Sequence, residues 1–288
     1  EINTTTLRDN LTIICTSVLM KLGNTSPKKK SERWSTRKMS RYDVVYVLKN
    51  NYEGEELKYS LRSVVMNFPY RKIVFVGGCP DGIEPDIYIP HEQIGSTKWD
   101  RSMASLKVAL NDNRLTDDIW LFNDDFFVMD RMTDPVNYFG GSLEKKIIDA
   151  RAKVGNSPYV QRLDICRGKL LKMGKDTLSF ALHVPMLVNR AQALSIFDIF
   201  PNQKMFRSLY GNYYKIDCQR MDDVKVTDLK TVPDTRYIST SDESFSKGSV
   251  GEFLKRYFVE PSKYENRDRN VPLDLHERYD EEGDIRYE

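Results

Sequence analysis

The 288-residue sequence is poor in the features that mark several protein classes. Its four cysteines, Cys15, Cys79, Cys166 and Cys218, are far apart and form no CxxC pair. That excludes a dense disulfide framework and argues against a structural zinc site, so free, mostly buried thiols are expected. Neither sign of charge dominates: 44 basic side chains face 42 acidic ones, a net of +2. The balance argues against a dedicated nucleic-acid coat and leaves room for a local basic cleft. Long apolar runs are missing too. "LTIICTSVLMKL" (11–22) is about half the ~20 residues a bilayer span requires, and the "SPKKKSERWSTRK" that follows is a poor fit to a processed signal peptide. A cytoplasmic chain with no membrane span is the expectation. There is no internal repeat and no GxGxxG fingerprint, hence no case for a nicotinamide cofactor.

What is present is a run of alternating elements. Residues 1–41 read as an N-terminal extension and basic linker, in which Lys28–Lys30, Arg33 and Arg37 are either solvated or face an anionic partner. The core opens with "YDVVYVL" (42–48), a β-branched run of strand type. In "EELKYSLRSVVMNF" (55–68) Leu57, Leu61, Val64, Val65 and Phe68 recur at helical spacing, and Pro69 ends the helix. "KIVFVGG" (72–78) is a second strand, whose glycines permit close backbone approach to a ligand. "DRSMASLKVALND" (100–112) predicts a helix with Asp100 as N-cap, and "DIWLF" (118–122) a third strand. Strand, helix, strand, helix, strand, with continuous apolar strands, predicts an α/β domain whose mostly parallel sheet is covered on both faces.

The second half is less regular. "TLSFALHVPMLVNR" (177–190) starts as a strand, "AQALSIFDIF" follows as a helix, and "VGEFLKRYF" (250–258) is a last amphipathic helix. The domain is taken to run over 42–262, and 263–288 is a charged tail of extended character.

The third strand ends on Asn123-Asp124-Asp125, inside an otherwise apolar segment. Asn-Asp pairs are good turn formers. Ligands, however, collect at the carboxyl ends of strands in open α/β sheets, and two carboxylates near a core need a compensating charge. If the chain stays extended, Asn123 and Asp125 share one side and Asp124 faces the other. Hard oxygen ligands of this kind suit Mg²⁺ or Mn²⁺.

Taken with "DVVYVL" (43–48), "EELKYSLRSV" (55–64), "FNDDFF" (122–127), "HVPM" (183–186), "FRSLYGN" (206–212) and "DDVK" (222–225), this order of motifs resembles the Stealth family of sugar-phosphate transferases over residues 42–226. The resemblance implies a GT-A-like, Rossmann-type nucleotide-sugar transferase domain with irregular C-terminal additions. It implies a nucleotide-sugar donor, most simply UDP-linked, a glycan hydroxyl as acceptor, and Mg²⁺ or Mn²⁺ on Asp125 and Asp124. Asp124, Asp125, His183 and Arg207 would be catalytic, and Asp43, Arg62, Asn123 and Asp223 would bind the donor, beside Asp222. One departure stands out: the family's first motif continues as Trp-Val-Asp/Asn-Gly, and here the chain runs Val47-Leu48-Lys49-Asn50. Transfer of the bare sugar, to a polysaccharide or a modified nucleic acid, therefore stays open, as does a non-catalytic nucleotide- or carbohydrate-binding module.

Taken alone, the residues allow plainer roles. Asp43 suits a loop cap, Arg62 lies off the apolar stripe of its helix, and His183 sits between Leu182 and Val184 as many core histidines do. As functional groups, His183 would be a general base on the acceptor, Arg62 would clamp phosphates bidentately, and Arg207 would neutralise charge on the departing phosphate.

Overall fold

The computed structural model describes residues 42–95, 97–202 and 204–265. The expected N-terminal extension, Cys15 and the tail beyond 265 lie outside the described residues.

A five-stranded sheet in the order β3-β2-β1-β4-β7 forms the centre. β1 (Asp43–Leu48), β2 (Ile73–Gly77), β3 (Ile87–Pro90) and β4 (Asp118–Phe122) are parallel, and β7 (Met186–Asn189) closes the edge antiparallel to β4. Because side chains alternate along a strand, the continuous apolar runs feed two cores at once. Val45, Val74, Val76, Ile119 and Leu121 pack on one face, under α2 (Lys98–Asn111), α4 (Pro158–Lys172), α5 (Arg190–Ile199) and α6 (Phe206–Tyr214). Val44, Tyr46, Phe75, Trp120 and Phe122 pack on the other, where α1 (Glu56–Asn67) brings Leu57, Leu61, Val64 and Phe68. The expectation of a mixed α/β domain with a mostly parallel, doubly covered sheet is met.

After β4 the chain leaves the sheet through Asn123–Asp125 and forms β5 (Phe126–Val128), which pairs antiparallel with β10 (Tyr237–Thr240). β10 in turn pairs with β9 (Lys225–Val226), and a separate small sheet joins β6 (Asn137–Phe139) to β8 (Cys218–Arg220). The polar positions of α1 serve this second layer. Ser60 Oγ donates to the Phe126 carbonyl (2.6 Å), Ser63 Oγ accepts from the Val128 amide (3.0 Å), and Asn67 donates to the Val128 carbonyl (2.7 Å). One helix thus fixes the strand that follows the acidic turn. α3 (Leu143–Val154) packs on α4, while α7 (Asp242–Lys247) and the amphipathic α8 (Ser249–Tyr257) cover Phe127 and Ile238.

Several local expectations change. The N-cap of α2 is Thr97, which accepts from the Asp100 amide; Asp100 returns the bond from the third helical position and completes a capping box. Residues 177–185 form no strand, because Phe180 and Leu178 bond to Ser208 and Asn212 of α6 instead of to a neighbouring strand. Gly77 and Gly78 make room for the protein's own chain: an added Cβ would meet the Leu48 and Lys49 carbonyl oxygens at 2.3 and 2.1 Å. The charged tail does not begin at 263, since Tyr264 is buried and Glu265 is bonded to the domain. The three described cysteines are free, and of these only Cys166 is buried.

Candidate functional site

The chain lays down β1, β2 and β3 in one direction and returns with β4 on the opposite side of β1. This reversal makes the carboxyl ends of β1 and β4 the place where a ligand crevice forms. A cleft of about 660 Å³ opens there, with Val47 of β1 and Leu121 and Phe122 of β4 among its lining. Asn123, Asp124, Asp125, His183 and Arg207 all line it. The turn and site readings of the acidic tripeptide turn out to be compatible. The Phe126 amide donates to the Asn123 carbonyl (3.3 Å), which closes a turn, and the turn presents all three side chains to one cleft. The extended arrangement with Asp124 on the far side is therefore wrong.

The two aspartates differ in their partners. Asp125 Oδ2 accepts from Lys225 Nζ (2.5 Å) and from Ser239 Oγ (2.9 Å), and Lys225 is further held by the Thr240 carbonyl. Both of these side-chain bonds fall on Oδ2. Asp124 is hydrogen-bonded by the Tyr52 hydroxyl, and burial followed by the charge of Asp125 pushes its carboxyl up. Glu56 stands beside them. It is the first residue of α1, 7% exposed, accepts from Thr240 Oγ1 (2.6 Å) and lines the same cleft. Burial, and then the charges of Asp124, Asp125 and Asp242, push it up to about 7. No group of three metal-ligating side chains is assembled among the described residues.

His183 is carried by the irregular segment before β7. Its Nδ1 lies 2.9 and 3.1 Å from the two oxygens of Asp223, whose Oδ1 also accepts from the His183 amide. Burial alone would raise Asp223, but the His183 hydrogen bond, the His183 charge and Lys146 at 3.5 Å bring it down to about 2. An ionised carboxylate only accepts, so Nδ1 carries a proton towards Asp223, and in the tautomer this fixes Nε2 is the nitrogen with the lone pair. Asp223 therefore orients His183 and does not line the cleft itself. Arg207, in the first turn of α6, donates to the Leu182 and Val184 carbonyls (3.2 and 2.6 Å) and lies over the Phe126 ring. Burial lowers its pKa to about 10, partly offset by Asp125, so it stays charged at neutral pH. The same two carbonyls that flank His183 thus fix Arg207 next to it.

Two expected donor-binding residues are elsewhere. Asp43 is wholly buried at the amino end of β1, where Arg71 binds both its oxygens (2.8 and 2.7 Å) and the Thr116 amide donates to it (2.9 Å). Four strand steps, roughly 3.3 Å each, separate it from Val47, which lines the cleft. Arg62 points the other way off α1: its guanidinium binds both oxygens of Glu265 and the Phe258 and Val259 carbonyls. Both are structural ties. Asp222 is exposed and outside the cleft. Glu56 and Lys225 are the residues the sequence reading missed. The available signal was position: the first turn of a helix that follows a parallel strand sits at the ligand end of the sheet.

The fold and cleft define an α/β protein with an acidic, histidine- and arginine-containing site at its strand-order reversal. No protein-family model matches the sequence, and no curated protein is significantly similar to it. Among solved structures it is similar to the apo crystal structure of mouse xyloside xylosyltransferase 1, with a TM-score of 0.30 and 9% identity over 81% of this chain and 99% of that one. At that TM-score the likeness does not define a shared fold. No described helix is long and apolar enough to cross a membrane.

Proposed function

We propose that the protein is a transferase that takes a nucleotide-sugar donor, UDP-linked in the simplest case, and moves sugar-1-phosphate to a hydroxyl of a glycan acceptor. One observation carries this reading: Asp124, Asp125, His183 and Arg207, spread over more than eighty positions of sequence, converge on one cleft at the strand-order reversal. The motif resemblance leads to the expectation of that convergence, which supports the reading.

Phosphoryl transfer needs positioning and neutralisation of charge more than covalent help from the protein. Arg207, held by the Leu182 and Val184 carbonyls, places a fixed positive charge for the diphosphate. His183 Nε2 takes the acceptor's hydroxyl proton as the acceptor oxygen attacks the β-phosphorus. The bridging bond to the α-phosphate breaks, and the nucleoside monophosphate leaves with that electron pair. Asp223 keeps the imidazole in the required tautomer and stabilises the imidazolium. Where the donor brings Mg²⁺ or Mn²⁺, Asp124 and Asp125 are the carboxylates that would hold it, with Lys225 already on one oxygen of Asp125. Such a cation would neutralise the donor's phosphates.

The test is product analysis with labelled UDP-sugars and a panel of glycan acceptors. UMP release that His183→Ala abolishes supports the reading. UDP release instead means attack at the anomeric carbon and transfer of the bare sugar. Retained UDP binding with no nucleotide release for any donor and acceptor leaves a binding module.

A further inference from the structure

The wall of the cleft away from the carboxylates has a different character. Its lining includes Lys98 and Trp99 from the first turn of α2, Tyr159 from α4, and Lys204 ahead of α6. Trp99 is half-buried, with the Arg162 guanidinium 5.2 Å and the Lys98 ammonium 5.6 Å from its ring. Lys204 is paired with Asp100 (3.0 Å), whereas no carboxylate lies within ion-pair distance of Lys98 or Arg162 among the described residues. Arg162 Nε is buried and has no hydrogen-bond partner there. The surroundings add to this charge. Residues 143–172, which form α3 and α4, carry eight basic and three acidic side chains, a net of +5 in a chain whose total is +2.

This wall adjoins the base. Burial raises the Tyr159 hydroxyl's pKa, Asp223 adds to the rise and Arg162 opposes it. Tyr159, Trp99 and His183 line the same cleft, and Tyr159 is near enough to Asp223 and Arg162 to feel both charges. An acceptor whose hydroxyl meets His183 Nε2 shares the cleft with this wall. Trp99 and Lys98 line the cleft, and Arg162 behind them adds a second cation on the Trp99 ring, so the wall combines an aromatic ring with two cations that have no carboxylate partner among the described residues.

We propose that Trp99, Tyr159, Lys98 and Arg162 form the acceptor subsite, and that it takes a glycan whose units carry negative charge. The assignment rests on the transferase reading only for the word acceptor; the ligand chemistry follows from the wall itself. A carboxylate on the sugar and a phosphate substituent offer the same chemistry to two cations and a ring.

The test is direct binding to the full chain, without donor, by calorimetry and Trp fluorescence. The probes are a neutral oligosaccharide, a uronate-containing one, a phosphate-substituted one and a single-stranded oligonucleotide, with UDP titrated into the same samples. Acidic glycans should bind at least roughly tenfold tighter than the neutral one and weaken with added salt. Arg162→Gln and Lys98→Gln should each remove most of that preference, and Trp99→Ala should weaken both acidic and neutral sugars. Trp99→Phe, which keeps the packing, should restore most of the affinity. The tighter of the uronate and phosphate arms identifies the anion. Equal affinity for neutral and acidic sugars, no glycan binding at all, or binding of the oligonucleotide alone overturns the proposal. So does loss of UDP binding in place of glycan binding in Trp99→Ala, which would move Trp99 to the donor side. Failure of the wild type to bind UDP removes the transferase reading and leaves the glycan result standing.

Discussion

At the amino end of the central sheet Asp43 has no exposed surface, yet a bidentate Arg71 and the Thr116 amide match its charge. At the carboxyl end Glu56 is 7% exposed and Asp124 half-buried, and burial together with neighbouring carboxylates pushes both up in pKa. The same residue chemistry, a few strand residues apart, is resolved in opposite ways. A buried acid that is fully paired holds the fold together, and removing its partner exposes the cost of burial. A buried acid left undermatched costs stability, and such sites concentrate where ligands bind and chemistry occurs. The difference separates structure from function more reliably here than acidity or burial does.

The comparison predicts that each end fails in its own way. His183→Ala should lower turnover by about 10²–10⁴-fold, the usual worth of a positioned base, and leave the unfolding midpoint unchanged, since the ring is partly exposed. Arg71→Ala should do the reverse. It strands a buried Asp43 and should cost about 3–5 kcal/mol of stability in urea unfolding, with UDP affinity retained in calorimetry. Loss of UDP binding in Arg71→Ala at temperatures where the variant is folded would join the two ends functionally and break the distinction.

Glu56 sharpens it. Its folded pKa of about 7 lies above the ordinary 4.5, so the fold favours the protonated form. That stabilisation is full below about pH 4.5 and is lost as pH rises through 7. Glu56→Gln keeps the neutral state at every pH. It should therefore be more stable than the parent by about 1–3 kcal/mol at pH 8, with the gap closing towards pH 5. Saturating Mg²⁺ or Mn²⁺ with UDP should shrink the gap at pH 8 if a cation relieves the charge. Equal stability of the two proteins across this range would mean that Glu56 is as well matched as Asp43.

β1, β2 and β4 were legible in the sequence because each is a short β-branched or aromatic run closed by polar or glycine residues, and α1 and α2 show helical spacing; β3 (Ile87–Pro90), only four residues long, was missed. Residues 177–185 misled because their backbone bonds go to Ser208 and Asn212 of α6 and to residues 140–143, contacts with no local signature. The acidic turn, His183 and Arg207 were found through motif order, and spacing alone would have left them a turn, a core histidine and a surface ion pair. Glu56 escaped notice because a glutamate in a first helical turn is ordinary. Only the return of β4 beside β1 brings Asp124 and Asp125 close to it. Asp43 was misassigned because its strand was recognised without regard to which end faces the ligand.

Arg62 tests the same lesson at a smaller scale, since its motif suggests phosphate binding and its bonds suggest a strap. Its guanidinium holds Glu265 and the Phe258 and Val259 carbonyls. The strap is also tied to the β2–β3 connection, where the Glu84 amide donates to the Tyr264 carbonyl and Tyr264 Oη donates to Asp86. Arg62→Ala leaves Glu265 without its cation, but the exposed residues 259–261 beside it can open and let water rehydrate it. The loss is therefore capped by the free energy of local opening, about 1–2 kcal/mol. Amide exchange should quicken at Glu84, Ser262 and Glu265, while exchange in β1 and β4 and affinity for UDP stay at the parent's values. An arginine that bound donor phosphate would give the opposite result, a tenfold or larger loss of UDP affinity with the strap still protected. That outcome would place Arg62 with the undermatched end of the sheet and deny that its four bonds define its role.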